Sequence, residues 1–133
     1  MVAQPIHVAI LDDDAAVRTA LARLLKAEGM VVGSYATSDQ LFDALAREVP
    51  HLLILDFEMP GMNGLEILKY LGQRQFRIPT IVLTGHDEVG LRSDCLNAGA
   101  IAYLNKPLNP EYLIQTIKGI SEASNIATLP HFG

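Results

Sequence analysis

Two hydrophobic patterns alternate along the chain. Five short apolar runs, Ile6–Leu11, Met30–Tyr35, Leu52–Asp56, Thr80–Thr84 and Ile101–Asn105, read as buried strands. Between them, apolar residues recur every three or four positions, as on one face of a helix. The runs end at positions 11, 35, 56, 84 and 105, which are 21 to 28 residues apart. That step accommodates one strand, one loop and one helix. Regular βα alternation predicts an α/β fold, a doubly wound parallel sheet covered by helices on both faces.

The helix signals fit this rhythm. A first helix is predicted from about Asp14 to Glu28, with Val17, Leu21, Leu24 and Leu25 on one face and Gly29 placed to end it. A second starts near Thr37, with Gln40 spaced for a capping box. A third starts near Asn63–Gly64 and carries Leu65, Ile67, Leu68 and Leu71. A fourth spans about Asp87 to Ala98 and stops at Gly99; Gly90, Ser93, Asp94 and Asn97 make it the weakest of the five. A fifth opens with Asn109 as N-cap and Pro110 at the first helical position, carries Tyr112, Leu113, Ile117 and Ile120, and fades near Ser121. Residues 1–122 are therefore expected to form one domain, and residues 123–133, which lack periodicity and contain Pro130, a C-terminal tail or the start of a linker.

Composition narrows the function classes. With 133 residues, half of them hydrophobic and 19% charged, the chain suits a single folded domain. Fifteen acidic residues against ten basic ones give a net charge of −5, and no Lys/Arg cluster stands out. Direct nucleic-acid binding by this domain is not expected. Neither is a membrane span, because no apolar run is long enough, nor a signal peptide in Met1–Gln4. The single cysteine, Cys95, reads as a small buried thiol and fits a reducing cytosol, so a cytoplasmic location is expected. His7, His51, His86 and His131 show no metal-ligand spacing.

In such a sheet, sites form where the strands end, near the point at which the winding reverses. Asp12, Asp13 and Asp14 follow the first strand, Asp56 ends the third, Thr84 and Gly85 end the fourth, and Asn105–Lys106–Pro107 end the fifth. Taken singly, each has a plain explanation: a turn with an N-cap, a loop start, a solvated lysine. Together they bring carboxylates, a hydroxyl and a lysine to one rim. Asp12, Asp13 and Asp56 against Lys106 leave two negative charges unbalanced, which calls for a divalent cation. An all-oxygen donor set selects a hard ion, Mg²⁺.

These segments resemble the receiver domain of two-component response regulators. The resemblance rests on Val8–Asp14 (VAILDDD), Leu52–Gly64 (LLILDFEMPGMNG), Pro79–Gly85 (PTIVLTG), Ala98–Tyr103 (AGAIAY) and Asn105–Lys106–Pro107, and covers about Ile6 to Ser121. It implies a flavodoxin-like sheet of strand order 2-1-3-4-5 with five helices. Position by position, it implies that Asp56 is the phosphoacceptor and that Asp12 and Asp13 hold Mg²⁺ together with Asp56 and the Glu58 backbone carbonyl. Thr84 and Lys106 would contact the phosphoryl group, and Thr84 and Tyr103 would form the switch. Pro107 would follow a cis bond, and His86 and Glu58 would tune the reaction rate. The domain would catalyse only its own phosphorylation and dephosphorylation. Its implied partners are a sensor histidine kinase or phosphotransfer protein, an output domain or partner protein and, on phosphorylation, a second copy of itself. Two other readings stand beside this one: a degenerate receiver acting as a phosphorylation-independent interaction domain, and a Mg²⁺-dependent phosphatase. The phosphatase reading lacks an Asp two residues after Asp56, where Glu58 stands, and lacks the length for a cap domain. The degenerate reading is disfavoured because the full acidic, hydroxyl and lysine set is present.

Overall fold

The computed structural model describes residues 4–86 and 88–124. Five strands form one parallel sheet: β1 (His7–Leu11), β2 (Val31–Tyr35), β3 (Leu52–Asp56), β4 (Thr80–Thr84) and β5 (Ala100–Asn105). Their order is β2-β1-β3-β4-β5, every pairing parallel. Helices α1 (Ala15–Ala27), α2 (Ser38–Leu45), α3 (Gly64–Gln73), α4 (Leu91–Asn97) and α5 (Pro110–Ser124) alternate with the strands.

Burial on both faces explains the near-continuous apolar runs. All five residues of β3 and all five of β4 are buried. Side chains alternate across a strand, so the core splits into two layers. Ala9, Leu11, Leu53, Leu55 and Val82 pack with Leu41, Ile67 and Cys95, beneath α2, α3 and α4. Val8, Ile10, Leu52, Ile54, Ile81 and Leu83 pack with Leu21, Leu25, Leu113 and Ile117, beneath α1 and α5. Each fully buried Leu or Ile contributes about 1.5–3 kcal/mol relative to exposure. Cys95 is fully buried, as expected of a small thiol.

The helix ends refine the expectations. Asp14 caps α1 by accepting from the Ala16 N–H at 2.9 Å, and Gly29 follows the helix with φ of 85°. Thr37 caps α2, but the Gln40 side chain accepts from the Ala36 N–H rather than from the N-cap's own, so the box is displaced by one residue. The reciprocal box lies instead at α3, where Asn63 accepts from the Glu66 N–H and Glu66 from the Asn63 N–H. The fourth helix departs most. The sequence predicts a start at Asp87, yet α4 begins at Leu91 and has seven residues. Gly90 before it is left-handed, with φ of 85° and no side-chain cap, so the chain turns into the helix four residues late. Asn109 caps α5 as expected, but α5 continues to Ser124, so the expected boundary at residue 122 falls inside a helix. Residues 125–133 of the expected tail lie outside the described residues.

Candidate functional site at the carboxyl rim of the sheet

Backbone hydrogen bonds carry the sheet one residue beyond its strands and fix the residues at its edge. The Asp12 N–H donates to the Tyr35 carbonyl at 3.1 Å, Phe57 to Leu83 at 2.8 Å and Lys106 to Thr84 at 2.8 Å. Asp12, Asp56, Thr84 and Lys106 are thereby brought to one rim although up to 94 residues separate them. Asp12 and Asp56 are almost wholly buried, at 2% and 4% exposure, and Thr84 is fully buried. Asp13 is exposed at the mouth.

The charges are tightly coupled. Lys106 Nζ donates to Asp56 Oδ1 at 3.0 Å and to Asp12 Oδ2 at 3.4 Å. The other oxygen of Asp12 accepts from the Asp14 N–H at 2.9 Å, and Arg18 of α1 donates to the Asp12 carbonyl at 2.7 Å. Sequence reasoning missed Arg18; its partner is a backbone carbonyl, which leaves no mark in the sequence. Burial pushes the Asp56 carboxyl above its ordinary value; Lys106 opposes this, and the nearby Asp12 and Glu58 charges add to it. Burial pulls the Lys106 ammonium down, but the hydrogen bonds and charges of Asp56 and Asp12 outweigh it and leave it raised. The site therefore holds two buried carboxylates on one cation.

Carboxylate oxygens of Asp12, Asp13 and Asp56 lie within 4.8 Å of one another. Oxygen-only donors, two of them buried and one at the mouth, with a single lysine in contact, fit a small hard divalent cation. The convergence of these three carboxylates is what the strand ends predicted.

Glu58, Thr84 and His86 form an adjoining cluster. Thr84 Oγ donates to the His86 carbonyl at 2.8 Å and accepts from the His86 N–H at 3.1 Å. The Glu58 carboxylate reaches across to Thr84 Oγ and to the Gly85 N–H, both at 3.4 Å, and its Oε2 lies 3.9 Å from His86 Nε2. Tyr103 of β5 is buried at 4% exposure in the core layer that includes Leu91 and Cys95, with the Arg92 guanidinium 5.7 Å from its ring centre. The Lys106–Pro107 peptide bond is cis. At the opposite end of the sheet, His7 and His51 meet in an edge-to-face contact, ring centres 5.5 Å apart. The lack of ligand spacing gave no hint of this pair, which is 44 residues apart.

Five parallel strands ordered 2-1-3-4-5 with five alternating helices make this a flavodoxin-like domain. The chain belongs to the response regulator receiver domain family, which it matches over residues 8–118. It is 36% identical to the transcriptional regulatory protein FixJ of Rhizobium meliloti over 114 residues, 85% of this chain and 55% of FixJ. The chain thus spans about half the length of that relative. Among solved structures, the CheY-like receiver domain protein of Methanospirillum hungatei is 30% identical with a TM-score of 0.86, over 92% of this chain and 98% of that one. The beryllofluoride-activated NtrC4 receiver domain dimer is 25% identical with a TM-score of 0.82, over 88% of this chain and 97% of that one. No helix among the described residues is long and apolar enough to cross a membrane.

Proposed function

We propose that this domain accepts a phosphoryl group on Asp56 from a phosphohistidine of a sensor histidine kinase or phosphotransfer protein. The observation that carries this reading is the Lys106 ammonium bridging Asp56 and Asp12 beside Asp13. Asp12, Asp13, Asp56 and the Glu58 backbone carbonyl are the groups that would hold Mg²⁺, which when bound supplies charge neutralisation to the phosphoryl oxygens. Asp56 is held by Lys106, so a carboxylate oxygen is positioned for in-line attack on phosphorus. The bond from phosphorus to the histidine nitrogen breaks as the bond to Asp56 forms. Lys106 stays at the rim and stabilises the added negative charge. Water later attacks the acyl phosphate and restores the carboxylate, so the domain turns over only itself. Glu58 and His86, beside the site, are placed to set that rate.

The readout involves Thr84 and Tyr103. A phosphoryl oxygen recruits the Thr84 hydroxyl away from the His86 carbonyl, and the loop after β4 repacks against Tyr103. Such a local charge event biases two packings of one surface, that of α4, β5 and α5. The repacked surface meets an output domain or partner protein, or a second copy of the domain. The receiver runs through the end of α5 at Ser124, and its compartment is the cytoplasm.

Incubation with Mg²⁺ and a small acyl-phosphate donor, with intact-mass measurement afterwards, tests the reading. A single phosphoryl adduct that is absent in Asp56→Asn is expected. No adduct at saturating donor overturns it and favours the phosphorylation-independent interaction domain. Rapid donor hydrolysis without an adduct favours the phosphatase.

A further inference from the structure

Glu58 has no counterpart in the charge balance of the acidic rim. Its hydrogen bonds lie away from Lys106, across on the loop that leaves β4. The register explains this: Asp56 stands opposite Leu83, and the Phe57 N–H bonds the Leu83 carbonyl. The two chains thus leave the sheet side by side, residue 58 running along Thr84–His86. There the carboxylate accepts from the Gly85 N–H at 3.4 Å, lies 3.4 Å from Thr84 Oγ, whose proton goes to the His86 carbonyl at 2.8 Å, and lies 3.9 Å from His86 Nε2. The His86 ring is 76% exposed and the Glu58 side chain 39% exposed, so this arrangement is not imposed by core packing.

A phosphoryl group on Asp56 brings anionic oxygens to the same rim. It needs donors on the side away from Lys106, and Thr84 supplies the hydroxyl there. We propose that the Glu58 carboxylate is an internal stand-in for the phosphoryl group, a latch that occupies the Gly85 N–H and the space beside Thr84 Oγ while Asp56 is unmodified. The incoming group must displace it, and this inference rests on the phosphoacceptor reading of Asp56. The latch is loose by construction. Contacts of 3.4 to 3.9 Å near solvent are each worth little, whereas a multiply charged group fixed on Asp56 presents its oxygens permanently. Glu58 therefore holds the resting loop without blocking the modified one, and its removal shifts the loop toward the modified arrangement.

The test uses beryllofluoride, a non-covalent phosphoryl mimic, titrated with Mg²⁺ present and monitored by the backbone amide resonance of Gly85. Wild type, Glu58→Gln and Glu58→Ala are compared, with thermal melting as the check on folding. Expected for Glu58→Ala is a displaced Gly85 resonance before any beryllofluoride is added, and binding tighter by roughly three- to ten-fold. Glu58→Gln keeps an acceptor oxygen but not the charge, and should fall between the other two. Equal gains in Glu58→Gln and Glu58→Ala would reduce the effect to charge repulsion and overturn the latch. So would an unmoved Gly85 resonance in Glu58→Ala with normal beryllofluoride binding. Failure of all three proteins to bind would instead remove the Asp56 reading itself, and with it the latch's role.

Discussion

The two ends of the one sheet solve their polar problems differently. At the amino rim, the His51 N–H donates to the His7 carbonyl and the His7 N–H donates to the His51 Nδ1, both at 2.9 Å. Buried Thr80 closes on the Ile78 carbonyl at 2.8 Å. These donors and acceptors are neutral and matched, which favours stability. At the carboxyl rim, Asp12 and Asp56 are buried on one shared lysine. Excess like charge there costs stability and supplies reactivity. One rim pairs neutral groups, the other concentrates charge, which on the proposed reading suits it to receive a phosphoryl group.

Removing the cation should expose this contrast most. Lys106→Met leaves Asp12 and Asp56 facing each other uncompensated, and should cost about 2–4 kcal/mol in metal-free buffer. Urea melts with and without Mg²⁺ check it: added Mg²⁺ should restore part of the loss, whereas phosphoryl uptake should stay abolished. Asp56→Asn should do the reverse. The folded-state pKa of Asp56 is raised, so its ionisation as pH rises past the ordinary carboxylate range weakens the fold at neutral pH. Neutralising it should add about 1 kcal/mol to stability while eliminating uptake. A destabilised Asp56→Asn would end the claim that this rim is strained for function.

Asn63→Ala sharpens the comparison by touching the same end without touching the charges. Loss of the α3 capping box should cost about 1 kcal/mol in denaturant melts and leave uptake intact. The smallest effect belongs to the amino rim. Burial holds the His51 pKa below 6.5, and the neighbouring His7 adds to this while Glu48 opposes it. The unfolded chain therefore takes up the proton first. Stability should be level above about pH 6.5 and decline modestly as pH falls from there through the folded-state value. His51→Asn should flatten that decline, measured by melts across about pH 5 to 7.5.

The parts of the molecule that the sequence makes legible are those written locally. Runs such as Leu52–Asp56 carry their burial in their own composition, and Asp12, Asp56, Thr84 and Lys106 each end or directly follow one such run. Once a parallel sheet is inferred, its strand ends must converge, so the site becomes legible with the fold. The start of α4 is not legible in this way. Asp87 and Glu88 suit a helix's first turn, and only the left-handed conformation of Gly90 shows that the turn comes first. The displaced box at α2 depends on which N–H the Gln40 side chain reaches, a choice among adjacent backbone groups that spacing does not make. The contacts of Glu58 with Thr84 and of His7 with His51 lie 26 and 44 residues apart and arise from register alone.

The bond from Lys106 to Asp12 has one consequence for the order of events as the chain is made. It joins the first strand to the last across 94 residues. All three aspartates leave the ribosome well before Lys106 does, and for that interval the lysine that bridges Asp12 and Asp56 is absent. Closure of the longest loop in the site is entropically the most expensive step and falls near the end. A chain that ends before β5 holds Asp56 but not its lysine partner, so on the proposed reading competence to receive a phosphoryl group arrives only after the fifth strand.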